Sequence, residues 1–249
     1  MRTFVLVPGA GGDQWYWSRV VPLLERRGHR AVAVTLPTGD EGAGLEEYAA
    51  AVVDAAPDGP VTLVAQSMGA YAASMAATRL DVVDLVLVNA MVPAPGETPG
   101  EWWDAVGQED AAARHAAAEG RPPEFDPMGD FFHDVPAEVV EEAMRRGEPR
   151  QAERPFGDPW PLERWPEVPT RGLAGADDRL FPAELQQRVA RERLGLALTV
   201  VPGGHLLALA QPEAVADFLQ GSGGPAAQPR ELAQREDHLD GDLEELRDP

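Results

Sequence analysis

Val61–Arg79 reads VTLVAQSMGAYAASMAATR, and the fold is decided by how this stretch is read. It opens with the apolar run Val61-Thr62-Leu63-Val64-Ala65, which has the length and composition of a buried strand. From Gly69 to Ala77 it continues with small and apolar residues suited to a buried helix. Only Gln66-Ser67-Met68 lies between the two. A strand passing to a helix through a serine flanked by small residues is the setting of a nucleophile elbow, with the hydroxyl pushed beyond the sheet and the helix N-terminus behind it. The same residues also describe an ordinary strand–turn–helix joint with Ser67 as its cap. Ala65 stands where the elbow pattern usually has its first glycine, so this stretch alone leaves both readings open.

Outward from that stretch, strands and helices alternate. Phe4–Val7, His29–Val34, Val83–Val88, Thr170–Ala174 and Ala197–Val201 read as further strands. Helices are expected over Trp17–Leu24, Leu45–Val53, Pro182–Leu194 and Pro212–Leu219, with Asp13 capping the first and Pro182 in the first turn of the third. This alternation predicts an α/β fold, a mostly parallel sheet covered on both faces. Between Val92 and about Pro166 the strands stop, and helical patches at Trp102–Glu119 and Ala137–Arg146 mark a helical insertion rather than a second domain. The expected organisation is one domain over 1–220, an insertion at about 92–166, and a flexible acidic tail over 221–249. In that tail Leu232, Leu239 and Leu246 recur at seven-residue spacing.

Composition narrows the function. The chain has 249 residues, 44% of them hydrophobic, enough for a sizeable core. Its 42 acids against 21 bases leave a net charge of −21, which argues against nucleic acid or an anionic membrane surface as partner. With no cysteine there is no disulfide, thiolate metal site or cysteine nucleophile. The apolar run Phe4–Val7 is too short for a signal-peptide core, so a cytoplasmic location is expected.

Parallel α/β sheets carry their functional loops at the strand C-terminal ends. Pro8-Gly9-Ala10-Gly11-Gly12 and Ser67 both sit at such ends. An acyl-transfer serine also needs a base and an orienting acid. Of the five histidines, His205 follows the last strand through Val201-Pro202-Gly203-Gly204 and is the choice for the base. His29 begins a strand, His115 lies in an alanine-rich patch and His238 in the acidic tail. His133, in Phe131-Phe132-His133-Asp134, either faces the same cavity or packs. Gly175-Ala176-Asp177-Asp178 ends another strand; Asp178 is preferred as the acid, with Asp177 as the alternative. The chain order Ser, Asp, His then follows.

On the stretches VLVPGAGGDQWYW, VAQSMGA, GADDRLFP and VPGGHLLALAQPEAVADFL, the chain resembles the serine-type α/β-hydrolases over roughly Arg2–Gln220. Within them it is similar to the small esterase-like group of plant methylesterases and hydroxynitrile lyases. The resemblance implies an α/β-hydrolase fold with a helical cap. It makes Ser67 the nucleophile, His205 the base and Asp178 the acid, and it places the oxyanion hole at the backbone N–H groups of Ala10 and Met68. Pro8 departs from the family's usual histidine, and Ala65 from its glycine. The implied function is cofactor-independent cleavage, with no metal, of an ester or lactone in a small to mid-sized, largely apolar substrate. Trp15, Trp102, Phe131, Phe132 and His133 are the candidate substrate contacts.

Several alternatives use other chemistry. A dinucleotide-binding oxidoreductase would need a small residue where Gln14 stands and an acid after the second strand, where Val34-Thr35-Leu36 offers none. Dehalogenases and epoxide hydrolases of this fold carry aspartate in place of Ser67. A triad-dependent lyase, a C–C hydrolase and a non-catalytic binding protein stay open, because fold does not fix function.

Overall fold

The computed structural model describes residues 1–221; the acidic tail and its leucine spacing lie outside the described residues. Six strands form one sheet: β1 (Thr3–Val7), β2 (Arg30–Ala33), β3 (Val61–Gln66), β4 (Val82–Val88), β5 (Thr170–Gly175) and β6 (Thr199–Val201). All neighbours are parallel, in the order β2-β1-β3-β4-β5-β6. The chain steps from β1 outward to β2 and then returns to the other side at β3, so β1 and β3 flank the topological switch point. Loops leaving these two strands at their C-terminal ends face the same crevice.

Period-two alternation divides the central strands between two cores. Val5, Val7, Leu63, Ala65, Leu85 and Leu87 pack in one with helices α2 (Leu45–Ala55), α3 (Gly69–Ala76) and α9 (Ala183–Leu194). Phe4, Leu6, Val64, Val86, Val88 and Leu173 pack in the other with α1 (Val21–Arg26), α10 (Leu207–Ala210) and α11 (Pro212–Gln220). Both sheet faces are therefore covered, as the uninterrupted apolar strands require. Arg171 on β5 pairs with Asp84 at 2.9 Å and donates to the carbonyls of Phe218 and Leu219 at the end of α11. The guanidinium thus satisfies helix-end acceptors that would otherwise be orphaned.

The insertion between β4 and β5 holds five helices: α4 (Pro99–Ala105), α5 (Gln108–Ala118), α6 (Pro127–Phe131), α7 (Ala137–Arg146) and α8 (Arg154–Gly157). The helix expected over 102–119 is two helices, broken at Gly107, whose φ of +63° ends the first and turns the chain into the second. The helix expected from Trp17 is likewise divided. Asp13 Oδ1 caps a 3-10 turn at Gln14–Trp17, and α1 starts only at Val21, with Pro22 in its first turn. Pro182 caps α9 from outside the helix rather than sitting in its first turn. No described helix is long and apolar enough to cross a membrane.

Candidate active site

Ser67 sits between the last residue of β3 and the start of α3 with a φ of +52°. A β-carbon in that left-handed region costs about 1–2 kcal/mol, and the tight turn between strand and helix demands it. Its N–H is held by the carbonyl of Val88 on β4, and its carbonyl accepts from Met91 and Ala70. The elbow presses on the loop after β1. A Cβ on Gly69 would collide with the Pro8 carbonyl, and one on Gly9 would lie 2.8 Å from Ser67 Cβ. Ala65 is fully buried opposite Leu87 and Val7, so its methyl is accommodated where the family pattern has glycine.

Ala10 and Met68 occupy the positions flanking that contact. Neither backbone N–H donates to a protein acceptor among the described residues. Gly12 N–H closes a turn onto the Gly9 carbonyl, and Gly11 N–H is taken by Gln151 Oε1 at 2.8 Å. The two residues expected to hold an oxyanion thus keep their backbone donors free.

Across the crevice His205 is 2% exposed, and its Nδ1 lies 2.9 Å from Asp178 Oδ2. The Asp178 carboxylate is fully buried and fully paired. Oδ1 accepts from the N–H groups of Leu180 and Phe181, and Oδ2 accepts also from Gln186 Nε2 at 3.1 Å. Asp177, the alternative acid, instead accepts from Gly203 N–H at 2.9 Å. It braces the histidine loop from outside. Between its two carbonyl-side neighbours, Asn89 donates to Gly204 and His205 (3.0 Å each) and accepts from Gly175 N–H at 2.8 Å. One amide therefore ties the end of β4 to both loops that carry Asp178 and His205.

The insertion closes over this side. Phe131 stands 5.5 Å from the His205 ring and Phe181 4.9 Å, the latter edge-on. Asp134 Oδ2 accepts from Gly204 N–H at 2.7 Å, and His133 Nε2 lies 4.0 Å from Asp134 Oδ1. Phe131 is thus brought to the His205 ring, and His133 to the loop before it. Phe132 and Trp15 pack against the second core, and Arg146 Cζ lies 5.3 Å from the Trp15 ring. Trp102 departs from expectation. It is 1% exposed, donates its indole N–H to the Val92 carbonyl and packs on Phe181, so it anchors the insertion and has no face left for a ligand. A cavity of about 260 Å³ opens in the insertion, lined by Gln108, Ala112, Arg121, Phe125, Arg179 and Leu180. Phe125 of its lining packs on Phe131 at 5.5 Å, and Leu180 of its lining donates its N–H to Asp178.

Sequence reasoning gave no role to Gln66, Asn89 or Asp134, and left Tyr16, beside the loop after β1, between pocket and packing. Gln66 Nε2 is 3.1 Å from His205 Nε2, and no hydrogen bond joins Ser67 to His205 among the described residues. The Tyr16 hydroxyl accepts from Ala208 N–H at 3.4 Å. Burial pushes its phenol far above the usual range, against the Ala208 donor and with help from the charges of Asp178 and Asp134, so it stays neutral. Asn89 carried one visible signal, a polar residue ending the buried run of β4.

Known proteins place this arrangement in context. The chain is 28% identical over 256 residues to a pyrethroid hydrolase of Sphingobium wenxiniae, covering 93% of this chain and 91% of that protein. It is 33% identical over 112 residues to Methylesterase 7 of Arabidopsis thaliana, covering 39% and 43%. The crystal structure of a pyrethroid hydrolase from Sphingobium faniae superposes with a TM-score of 0.66 at 25% identity, covering 89% of this chain and 98% of that one. The model of the alpha/beta hydrolase family matches residues 4–218, nearly the whole described chain, and the protein belongs to that family.

Proposed function

We propose that the protein is a serine hydrolase cleaving carboxylic esters through an acyl-enzyme. The carrying observation is the buried 2.9 Å contact between His205 Nδ1 and Asp178 Oδ2 beside a serine held at a φ of +52°. With Nδ1–H committed to the carboxylate, the imidazole presents its Nε2 lone pair as a base. His205 takes the proton of Ser67 as Oγ attacks the ester carbonyl. The N–H groups of Ala10 and Met68 hold the oxyanion, and the proton then passes to the departing alcohol. Water, activated by the same nitrogen, releases the acid and restores the serine. Asp178 keeps the tautomer and stabilises the imidazolium.

The aromatic side chains around His205 favour an apolar substrate of small to middle size, bounded by Phe131 and Phe181. The similarity to a methylesterase, ester-cleaving by name, beside that to a pyrethroid hydrolase, supports ester over lactone as the bond broken. Pro8 in place of the family's histidine removes an imidazole and a backbone N–H but leaves the oxyanion donor, since the loop contributes through the backbone of Ala10. The insertion acts as a cap over the crevice that limits the entry of bulk water while leaving room for the one water that releases the acid.

Ser67→Ala is expected to lower kcat on short-chain nitrophenyl esters by about three orders of magnitude or more. A fluorophosphonate should label the native protein at Ser67, located by mass spectrometry of the digested adduct. Undiminished ester turnover by the alanine variant would refute the serine mechanism.

A further inference from the structure

Gln66 precedes the serine, and strand parity directs it to the face of Val64, toward the histidine loop and away from α3. It is 4% exposed. Its Nε2 lies 3.1 Å from His205 Nε2 and 3.5 Å from the His205 carbonyl, so both amide hydrogens are directed at the one residue. The orientation of the amide follows from the tautomer. Because Asp178 takes Nδ1–H, Nε2 is an acceptor, and only the NH2 end can face it favourably. The oxygen end is then directed to Gly9, where a Cβ would collide with Oε1. Glycine at that point in the oxyanion loop is what leaves room for the amide.

An imidazole nitrogen has one in-plane lone pair and accepts one strong hydrogen bond. In this structure Gln66 uses it. Ser67 Oγ–H cannot be activated by the same nitrogen until the amide leaves. We propose that Gln66 is a positioning residue for the base: in the resting enzyme its amide holds His205 Nε2, and it withdraws when a substrate carbonyl enters beside Gly9 and presses on its oxygen end. The proposal rests on the assignment of Ser67 and His205 as nucleophile and base. It adds a resting state in which the serine is unactivated and a ligand-coupled step that activates it.

The test uses the rate at which a small fluorophosphonate labels Ser67 in the whole protein, measured across pH. Gln66→Met keeps the length but has no donor, and Gln66→Asn keeps the amide but falls one methylene short. Unfolding midpoints identify a variant that folds. A neutral hydrogen bond of ordinary strength predicts that both variants label about three- to tenfold faster at about pH 9. Removing a donor to the neutral ring also makes protonation easier, so the rising limb of the rate profile moves to higher pH by about 0.5 to 1. The other charged and titratable groups around the ring are unchanged by either substitution: Asp178 on Nδ1, Asp134 and His133 at Gly204, Asp177 at Gly203, and Tyr16 at Ala208. Labelling that is no faster, or a limb that does not move, overturns the role of Gln66. If the native protein takes no label at Ser67, the serine assignment itself fails, which is a separate outcome.

Discussion

Asp177 and Asp178 are adjacent, both are hydrogen-bonded, and both serve the loop that carries His205, yet they do so in different ways. Asp178 Oδ2 meets the ring nitrogen at 2.9 Å, whereas Asp177 Oδ2 meets the Gly203 N–H. An amide at 178 would present a donor or a neutral acceptor where the neutral imidazole needs a fixed tautomer and the imidazolium needs a charge. Asp178→Asn is therefore expected to lower kcat/KM by about 10⁴, the scale known for this substitution in a serine triad. Asp177→Asn retains an acceptor for Gly203 and should cost no more than about tenfold in the same assay, because it perturbs only the fit of the loop. A greater loss at 177 than at 178 would reverse the assignment. The position of Ser67, Asp178 and His205 was legible because each lies one to four residues past the end of a strand, and strand ends can be found from apolar runs. Gln66 and Asn89 were not, because what they do depends on a loop more than 110 residues away in the chain. No local pattern encodes that distance.

Among elements, α3 shows how a helix can be limited by what it approaches. Gly69 opens it, and by propensity alone Gly69→Ala should stabilise the helix by up to about 1 kcal/mol. The added methyl, however, would collide with the Pro8 carbonyl, a backbone atom that can move only if the loop after β1 moves with it. Overpacking of this kind costs about 1–3 kcal/mol and outweighs the propensity gain. The expected outcome is a lower urea midpoint with an unchanged slope, together with slower labelling of Ser67. A stabilised variant would show that the loop yields easily. The run of small residues Gly69–Ala77 made this helix readable, and its buried position follows from the same run. The helices of the insertion were harder. The Asp126-Pro127 start of α6 is a strong signal, with Asp126 accepting from Met128 and Gly129, but five residues are too few to show a period. The break at Gly107 depends on a positive φ that a glycine permits without announcing.

On the scale of the whole molecule, the insertion and the sheet share one core. Trp102, Val106 and Trp160 pack in the same cluster as Leu85, Leu87 and α3. The two ends of the insertion are also joined to each other. Gly96 N–H donates to the Trp160 carbonyl and Trp160 N–H to the Glu97 carbonyl, both at 3.1 Å, while the Trp160 indole donates to Ser74 on α3 at 3.0 Å. Glu97 is in turn paired at both oxygens with Arg193 of α9. A segment rooted in this way cannot come off the sheet without opening the core beneath it, so it unfolds with the sheet and not before it. Trp160→Ala removes a large fully buried side chain and is expected to cost about 3–5 kcal/mol. That loss should appear as a shift of the entire transition. Four of the six tryptophans, Trp102, Trp103, Trp160 and Trp165, lie in or at the edge of the insertion, so near-ultraviolet circular dichroism reports chiefly on it. The far-ultraviolet signal reports on all the helices and strands. In both the native protein and the Trp160→Ala variant the two midpoints should coincide in urea. A near-ultraviolet transition that comes first would mean that the insertion is held less firmly than its shared core and paired ends imply, and the crevice above Ser67 would then open without loss of the fold.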